Sequence, residues 1–209
     1  NNELLGPVDC PLGDGAVYLP RMAAGIADDL VNLVKEAAKV APFRFFETPM
    51  GRPMKIACTN LGPLGWVASR KGYGYSDVDP QTGLPWMAMR DWLVDFATHC
   101  ARQAGFFNFE PNACLINGYR PGVDLGMHQD KDEKDFSKPI VSISLGLTGV
   151  FKLGGLKRGD RIESLPLEHT DVIVFGGKSR LRFHGVAPVA DGHHPATGSR
   201  RINLTIREA

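Results

Sequence analysis

The sequence lacks the features of an exported, membrane-bound or strongly charged protein. No apolar run approaches the about 20 residues that a membrane helix needs, and no basic-then-apolar segment lies near the N-terminus. With 24 Lys and Arg against 23 Asp and Glu, the formal net charge is +1, so a surface for a polyanion has to be a local patch. We therefore expect a cytoplasmic protein that does not bind a membrane.

Cysteine is scarce and scattered. The four cysteines include no C-x-x-C pair, which argues against a zinc ribbon, and they do not form the pattern of a secreted disulfide scaffold. At 209 residues, with 43% hydrophobic composition, the chain is long enough to bury one substantial core. We predict a single domain over residues 1–209 and expect a monomer.

Helical periodicity is confined to the N-terminal half. Apolar residues recur at helical spacing across residues 20–40 and across Asp91–Ala104, which Gly105 follows. After residue 110 the chain turns to short β-rich runs separated by Gly, Pro and Asp, namely ACLINGY, IVSISLGL, VFKLGG, DVIVFGG, RFHGVAPV and RINLTIR. Strands without helices between them pair antiparallel. The pattern predicts an α+β fold in which N-terminal helices brace a sandwich or barrel over about residues 110–209.

Residues with metal-binding side chains concentrate in MHQDKDE, residues 127–133. At strand spacing His128 and Asp130 project to one side, so both can reach one ion. His184 lies on a later predicted strand, and two histidines with one carboxylate form the triad that leaves coordination positions open in non-haem Fe(II) enzymes. Two alternatives stay open on spacing alone. In the first, His128, Asp130 and His184 are ordinary surface or turn residues. In the second, the other H-x-D pair, at 169–171, binds the metal.

The C-terminal run RINLTIR alternates between apolar and polar residues. Its apolar side chains are Ile202, Leu204 and Ile206, and its polar ones are Arg201, Asn203, Thr205 and Arg207. Because alternate residues of a strand share a face, the two arginines lie on one polar face. They leave a gap that suits a five-carbon dicarboxylate. The alternative is a solvated sheet face with unpaired arginines.

Rings, cations and glycines alternate in WVASRKGYGY, residues 66–75. Trp66 and Tyr73 can stack on bases while the cations reach phosphates, a composition that suits unstacked nucleic acid. The alternative is an edge hairpin whose rings pack on the rim of the barrel. Composition alone does not decide between the two.

In combination, H-x-D at 128–130, the distal His184 and R-x-N-x-T-x-R at 201–207 resemble the AlkB-type Fe(II)/2-oxoglutarate dioxygenases. The stretches LGWVASRKGYGYS, ACLINGYRPGVDLGMHQDKDE and LEHTDVIVFGGKSRLRFHG extend the resemblance over nearly the whole chain. The resemblance implies a double-stranded β-helix, or jelly-roll, core. It also implies that the segment at about residues 43–80 is a nucleotide-recognition lid.

The resemblance assigns cofactors to residues of this chain. It implies that Fe(II) is bound by His128, Asp130 and His184. It implies that Arg201 holds the distal carboxylate of 2-oxoglutarate, that Arg207 lies near the C1 carboxylate, and that O2 is the second cosubstrate. Further hydrogen bonds to 2-oxoglutarate are expected from Asn117, Tyr119 and Asn203.

On the substrate side, the resemblance implies that a flipped methylated base lies between Trp66 and His128. Tyr73 then contacts the nucleotide. Arg158 is a candidate contact to the nucleic-acid backbone, and the alternative is an ordinary surface charge. Asp132 follows Asp130 by two residues and faces the same side, where a carboxylate stabilises a cationic methylated base.

The predicted reaction removes the methyl group of N1-methyladenine and N3-methylcytosine in alkylated single-stranded DNA and releases formaldehyde, succinate and CO2. RNA and duplex DNA with a flipped base are alternative substrates. Two rival hypotheses remain: an Fe(II)/2-oxoglutarate hydroxylase of a protein or small molecule, and a non-catalytic β-sandwich binding module. For Glu133 and Asp135 we expect the solvated charges of a loop.

Overall fold

The structure, a computed structural model, describes residues 10–209. Two helices lie where the apolar spacing predicts them, α1 at Ala27–Val40 and α2 at Asp91–Gln103. A short 3-10 turn at Ala24–Ile26 precedes α1, so the helix begins later than the periodicity indicates. Gly105 follows α2 with φ of 87°, a conformation that glycine adopts readily, and this ends the helix as predicted.

Within the described residues the chain also forms thirteen strands. They are β1 Cys10–Pro11, β2 Ala16–Leu19, β3 Ala57–Leu61, β4 Gly65–Ser69, β5 Gly72–Ser76, β6 Ala113–Tyr119, β7 Leu125–His128, β8 Ile140–Gly146, β9 Gly149–Leu153, β10 Glu163–Leu167, β11 Val172–Phe175, β12 His184–Val186 and β13 Arg201–Arg207. The predicted runs ACLINGY and RINLTIR coincide with β6 and β13.

The strands pair antiparallel in two main sheets and one hairpin. The larger sheet has seven strands in the order β1-β2-β11-β8-β13-β6-β3, and the smaller has four in the order β10-β9-β12-β7. Strands β4 and β5 form the separate hairpin. This confirms the predicted α+β jelly-roll of antiparallel strands. The larger sheet also contains β1, β2 and β3, which come before residue 110, so it takes in more of the chain than the β-rich runs indicated.

The main core lies between the larger sheet and the two helices. Its fully buried members include Leu30 of α1, Leu93 of α2, Ile116 of β6, Ile143 of β8 and Leu204 of β13. Because alternate strand residues face opposite sides, the polar residues of β6, β8 and β13 point away from the helices. The alternation in RINLTIR thus buries one face and reserves the other for a site.

Among residues 10–209, no helix is both long and apolar enough to cross a bilayer.

Candidate active site

The three predicted metal-binding side chains meet where the ends of β7 and β12 pair. His128 ends β7 and His184 begins β12, and the two are directly opposite each other in the antiparallel register. Asp130 follows His128 by two residues and turns back toward both rings. The possible ligand atoms of the three residues all lie within 4.8 Å of one another. The structure therefore brings the triad together.

Backbone hydrogen bonds orient both imidazoles. Nδ1 of His128 lies 2.9 Å from the Gly126 carbonyl oxygen, and Nδ1 of His184 lies 3.1 Å from that of Arg182. A carbonyl only accepts, so each Nδ1 carries the proton and each Nε2 keeps its lone pair when the ring is neutral. The Nε2 atoms lie 3.3 and 3.7 Å from the two carboxylate oxygens of Asp130. A metal site of two histidines and one carboxylate needs this donor set.

The protonation states of Asp130 and His184 favour a cation. Burial lowers the pKa of His184 to about 4, so this imidazole is neutral at pH 7. Burial opposes the ionisation of Asp130, but the charge of Arg207 and the two histidines outweigh it and hold the pKa of that carboxyl well below its usual range. Burial alone would lower the pKa of His128, yet the hydrogen bond and charge of Asp130 raise it. A cation bound by His128 would displace the proton that this raised pKa favours.

Arg201 lies in the larger sheet with its guanidinium buried and incompletely paired. The residue is 2% exposed, and its Nη2 donates to Ser144 Oγ over 3.3 Å. Within residues 10–209, its Nε and Nη1 have no hydrogen-bond partner. A buried cation with unpaired donors is costly, and a carboxylate would satisfy it. The site therefore fits one carboxylate of 2-oxoglutarate at Arg201.

The triad and Arg201 line one cavity, which has a volume of about 290 Å³. The remaining residues predicted to contact 2-oxoglutarate line it as well. They are Asn117, Tyr119, Asn203 and Arg207. Asn203 Nδ2 donates to Ser142 Oγ over 2.8 Å and to the Ile143 carbonyl over 3.1 Å, which fixes its amide. Arg207 Nη2 lies 2.6 Å from Asp130 Oδ2, so this arginine contacts the metal-binding carboxylate.

The β4–β5 hairpin contributes side chains to the same cavity. The Trp66 and Tyr73 rings stack with centroids 5.6 Å apart and planes 16° from parallel. Trp66 Nε1 donates to Asp132 Oδ2 over 2.7 Å, and all three residues line the cavity. Residues 66–75 thus lie in a hairpin, and the rings of Trp66 and Tyr73 line the cavity.

Arg158 does not join these residues around the cavity. Its Nη1 donates to the Met127 carbonyl over 3.1 Å, and its guanidinium lies 4.9 Å from the centroid of the Phe183 ring. The side chain is exposed. The structure leaves it on the surface next to the triad segment.

The second H-x-D pair, at 169–171, belongs to a turn. His169 Nδ1 accepts from the Gly146 amide over 3.0 Å, and the Asp171 carboxylate accepts from the Arg21 and Glu168 amides and the Tyr18 hydroxyl, each over 2.8 Å. Since these acceptor atoms are committed to the fold, the pair is not arranged as a metal site.

The expectation for Glu133 was wrong. Its side chain is 2% exposed and pairs with Arg180 over 2.7 Å and with Arg207 over 3.3 Å. Asp135, two residues on, is exposed as expected. In sequence both are single acidic residues of one loop, and neither periodicity nor spacing distinguishes them. Glu133 and Arg180 are therefore residues of the site region that the sequence prediction missed. Tyr75, a ring of the predicted aromatic segment, donates to Glu133.

Comparison with known proteins agrees with this geometry. The family described as the 2OG-Fe(II) oxygenase superfamily matches residues 15–207. This protein belongs to that superfamily. The oxygenase is 50% identical to the alpha-ketoglutarate-dependent dioxygenase AlkB of Escherichia coli (strain K12) over 199 residues. These residues cover 95% of this chain and 92% of that protein. It is an Fe(II)- and 2-oxoglutarate-dependent dioxygenase of the AlkB type and uses O2, as the resemblance implied.

Two further relatives of the oxygenase match more distantly. The nucleic acid dioxygenase ALKBH1 of Mus musculus is 40% identical over 130 residues, which cover 62% of this chain and 33% of that protein. The solved structure of OsALKBH1 superposes with a TM-score of 0.81 at 28% identity and covers 97% of this chain and 100% of that one. The jelly-roll assignment is thus confirmed by sequence and by structure.

Proposed function

We propose that this dioxygenase oxidatively demethylates nucleic acids and acts on N1-methyladenine and N3-methylcytosine in single-stranded DNA. The observation that carries the proposal is the shared lining of one cavity by the triad and by Trp66, Tyr73 and Asp132. Stacking rings, an acidic group and a metal site on one cavity suit a flat cationic base whose methyl group is to be oxidised. The mouse relative named above is a nucleic acid dioxygenase.

In this proposal the residues of the chain hold the cofactors in a fixed arrangement. His128, Asp130 and His184 bind Fe(II) through the two Nε2 atoms and a carboxylate oxygen, and Arg201 binds a carboxylate of 2-oxoglutarate. Arg207, Asn117, Tyr119 and Asn203 supply further contacts to 2-oxoglutarate. Fe(II) held there would supply, with 2-oxoglutarate and O2, the oxidation that converts the N-methyl group to a hydroxymethyl group, with succinate and CO2 as the other products. The hydroxymethyl group then leaves the base nitrogen as formaldehyde.

The hairpin recognises the base in this proposal. Trp66 stacks on one face of the extruded base and His128 lies on the other, while Tyr73 contacts the nucleotide. Asp132 accepts a hydrogen bond from the exocyclic amine and stabilises the positive charge of the methylated ring. The lid is formed by about residues 43–80. A contact within this segment supports it, because Phe46 meets the Trp66 ring edge-on with centroids 6.1 Å apart.

The preference for single strands follows from the energy of base extrusion. Flipping a base costs least where it is unpaired or where methylation already blocks pairing. RNA and duplex DNA with a flipped base therefore belong to the proposed substrate range, and Arg158 is the proposed contact to the nucleic-acid backbone. A monomeric state and a cytoplasmic location also remain predictions.

Mass spectrometry of a single-stranded oligonucleotide that carries one 1-methyladenine tests the function. After incubation with protein, Fe(II), 2-oxoglutarate and ascorbate, we expect loss of one methyl group with the wild type and none with His128→Ala. Succinate formation with an unchanged oligonucleotide would reject the substrate and favour the hydroxylase of a protein or small molecule. Absence of both products would reject demethylation of this oligonucleotide.

A further inference from the structure

Glu133 lies at the centre of a buried cluster of charges beside the triad. Its Oε2 lies 2.7 Å from Arg180 Nη2. Its Oε1 lies 3.3 Å from Arg207 Nε, an ion-pair distance, although this Nε makes no hydrogen bond within the described residues. The Tyr75 hydroxyl donates to the same Oε1. Both carboxylate oxygens of Glu133 therefore have partners, although the side chain is only 2% exposed.

Both arginines of this cluster also contact Asp130. Arg207 Nη2 lies 2.6 Å from Asp130 Oδ2, and Arg180 Nη1 donates to the Asp130 carbonyl oxygen over 2.9 Å. The four side chains thus combine two buried cations, Arg180 and Arg207, with the buried anion Glu133 and with Asp130, whose side chain is 11% exposed. Without the charge of Glu133, one guanidinium would lack a compensating anion, a strongly unfavourable arrangement in a protein interior. The excess positive charge would lie next to a metal-binding carboxylate.

The same cluster holds the β4–β5 hairpin. Trp66 and Tyr75 are directly opposite each other in the hairpin register. Trp66 donates to Asp132, and Tyr75 donates to Glu133, the next residue along the chain. One cross-strand pair therefore binds two consecutive residues of the loop that carries Asp130.

We propose that Glu133 is a positioning residue that balances the charges of Arg180 and Arg207, keeps Arg207 on Asp130, and anchors the hairpin to the metal site through Tyr75. The charge-balancing part depends only on a metal ion bound at the triad and not on the identity of the substrate. The hairpin part rests on the proposed function, because it concerns the base that the hairpin recognises.

Mn(II) titration of the metal-free protein tests the charge-balancing part in Glu133→Gln, which keeps the shape of the side chain and removes its charge. We expect Mn(II) to bind at least about tenfold more weakly, because uncompensated positive charge repels a cation. The Mn(II)-loaded variant should bind 2-oxoglutarate, a dianion, as tightly as the wild type or more tightly. Damage to the fold would instead weaken both. Asp135→Asn, an exposed carboxylate of the same loop, is the matched control and should bind both as the wild type does.

The double variant Glu133→Gln/Arg180→Gln provides a rescue. It removes one charge of each sign, so we expect its Mn(II) affinity to return to within about threefold of wild type. Wild-type Mn(II) affinity in Glu133→Gln, or parallel loss of both affinities without rescue, would overturn the inference. Should Glu133→Gln fail to fold, the double variant decides, since a folded, Mn(II)-binding double variant supports charge balance and an unfolded one contradicts it.

Tyr75→Phe tests the hairpin part, because it removes only the hydroxyl and no charge. We expect unchanged Mn(II) affinity but at least about twice as much succinate per formaldehyde released, since a loosened hairpin aligns the base less well. An unchanged ratio would refute the hairpin part. A wild type that forms succinate but no formaldehyde would reject the proposed function instead and leave the Mn(II) titrations as an independent test.

Discussion

Arg201 has two buried nitrogen atoms, Nε and Nη1, that find no hydrogen-bond partner within residues 10–209. Leaving such donors unsatisfied costs about 1–3 kcal/mol each. Burial also lowers the pKa of this guanidinium from its ordinary value. The residue is therefore unfavourable for the stability of the cofactor-free protein, and a bound carboxylate would relieve that cost. Arg200, the next residue in the chain, is exposed and carries no such cost.

Replacing Arg201 by Met should separate binding from stability. We expect the affinity for 2-oxoglutarate to fall at least about 100-fold, because a charge-assisted pair in a buried site is lost. The free energy of unfolding of the cofactor-free protein should stay the same or rise. Calorimetric titration and urea unfolding measure the two quantities. Arg200→Met should change neither, and a wild-type affinity in Arg201→Met would show that the cosubstrate binds elsewhere.

At the scale of elements, the β4–β5 hairpin contacts the triad segment through polar groups. The indole N–H of Trp66 donates a hydrogen bond to an oxygen of the Asp132 carboxylate. The exocyclic amine of a bound base would have to share this carboxylate or displace the indole. A cationic base gains more from such an exchange than a neutral one, because a charge-assisted hydrogen bond is about twice as strong as a neutral one.

Asp132→Asn should therefore discriminate between substrates by charge. We expect kcat/KM for an oligonucleotide with 1-methyladenine to fall at least about tenfold. For one with a neutral ethenoadenine, the decrease should stay below about threefold. Trp66→Phe, which keeps a stacking ring but has no N–H donor, serves as the comparison and should affect both substrates alike. Equal losses for the two substrates in Asp132→Asn would contradict a charge-based role.

At the scale of the whole molecule, the two sheets approach each other closely at Gly149. A Cβ at this position of β9, in the smaller sheet, would lie 2.3 Å from Nε of Arg201 in the larger sheet. The Cβ would also lie 2.6 Å from Cδ of Arg201, so the clash would involve the inner part of the side chain and not only its flexible end. The distance between the sheets therefore determines where the guanidinium lies.

Gly149→Ala should weaken 2-oxoglutarate binding without changing any polar residue. We expect at least about a tenfold loss of affinity and a loss of about 1–3 kcal/mol in unfolding free energy, because overpacking displaces Arg201. Calorimetry and urea unfolding measure the two effects. Gly159→Ala is the control, since a Cβ there would meet nothing within 4 Å. Wild-type affinity in Gly149→Ala would mean that the sheets adjust freely.

The sequence by itself determined the features that depend on local spacing. The helices, the face-by-face alternation of β13 and the projection of His128 and Asp130 to one side all follow from periods of 3.6 and 2 residues. These periods express the geometry of the backbone, which is the same wherever the segment lies. The resemblance to a known family then added roles for residues that spacing alone left open.

Only the tertiary structure decided which distant residues meet. His184, and not the pair at 169–171, joins His128 because the β7–β12 register places the two histidines opposite each other. Glu133 is buried while Asp135 is exposed because Arg180 and Arg207 arrive from other parts of the chain to pair with it. Such pairings depend on how the sheets and loops pack together, and a carboxylate in a loop shows no local sign of the partner that will compensate its charge.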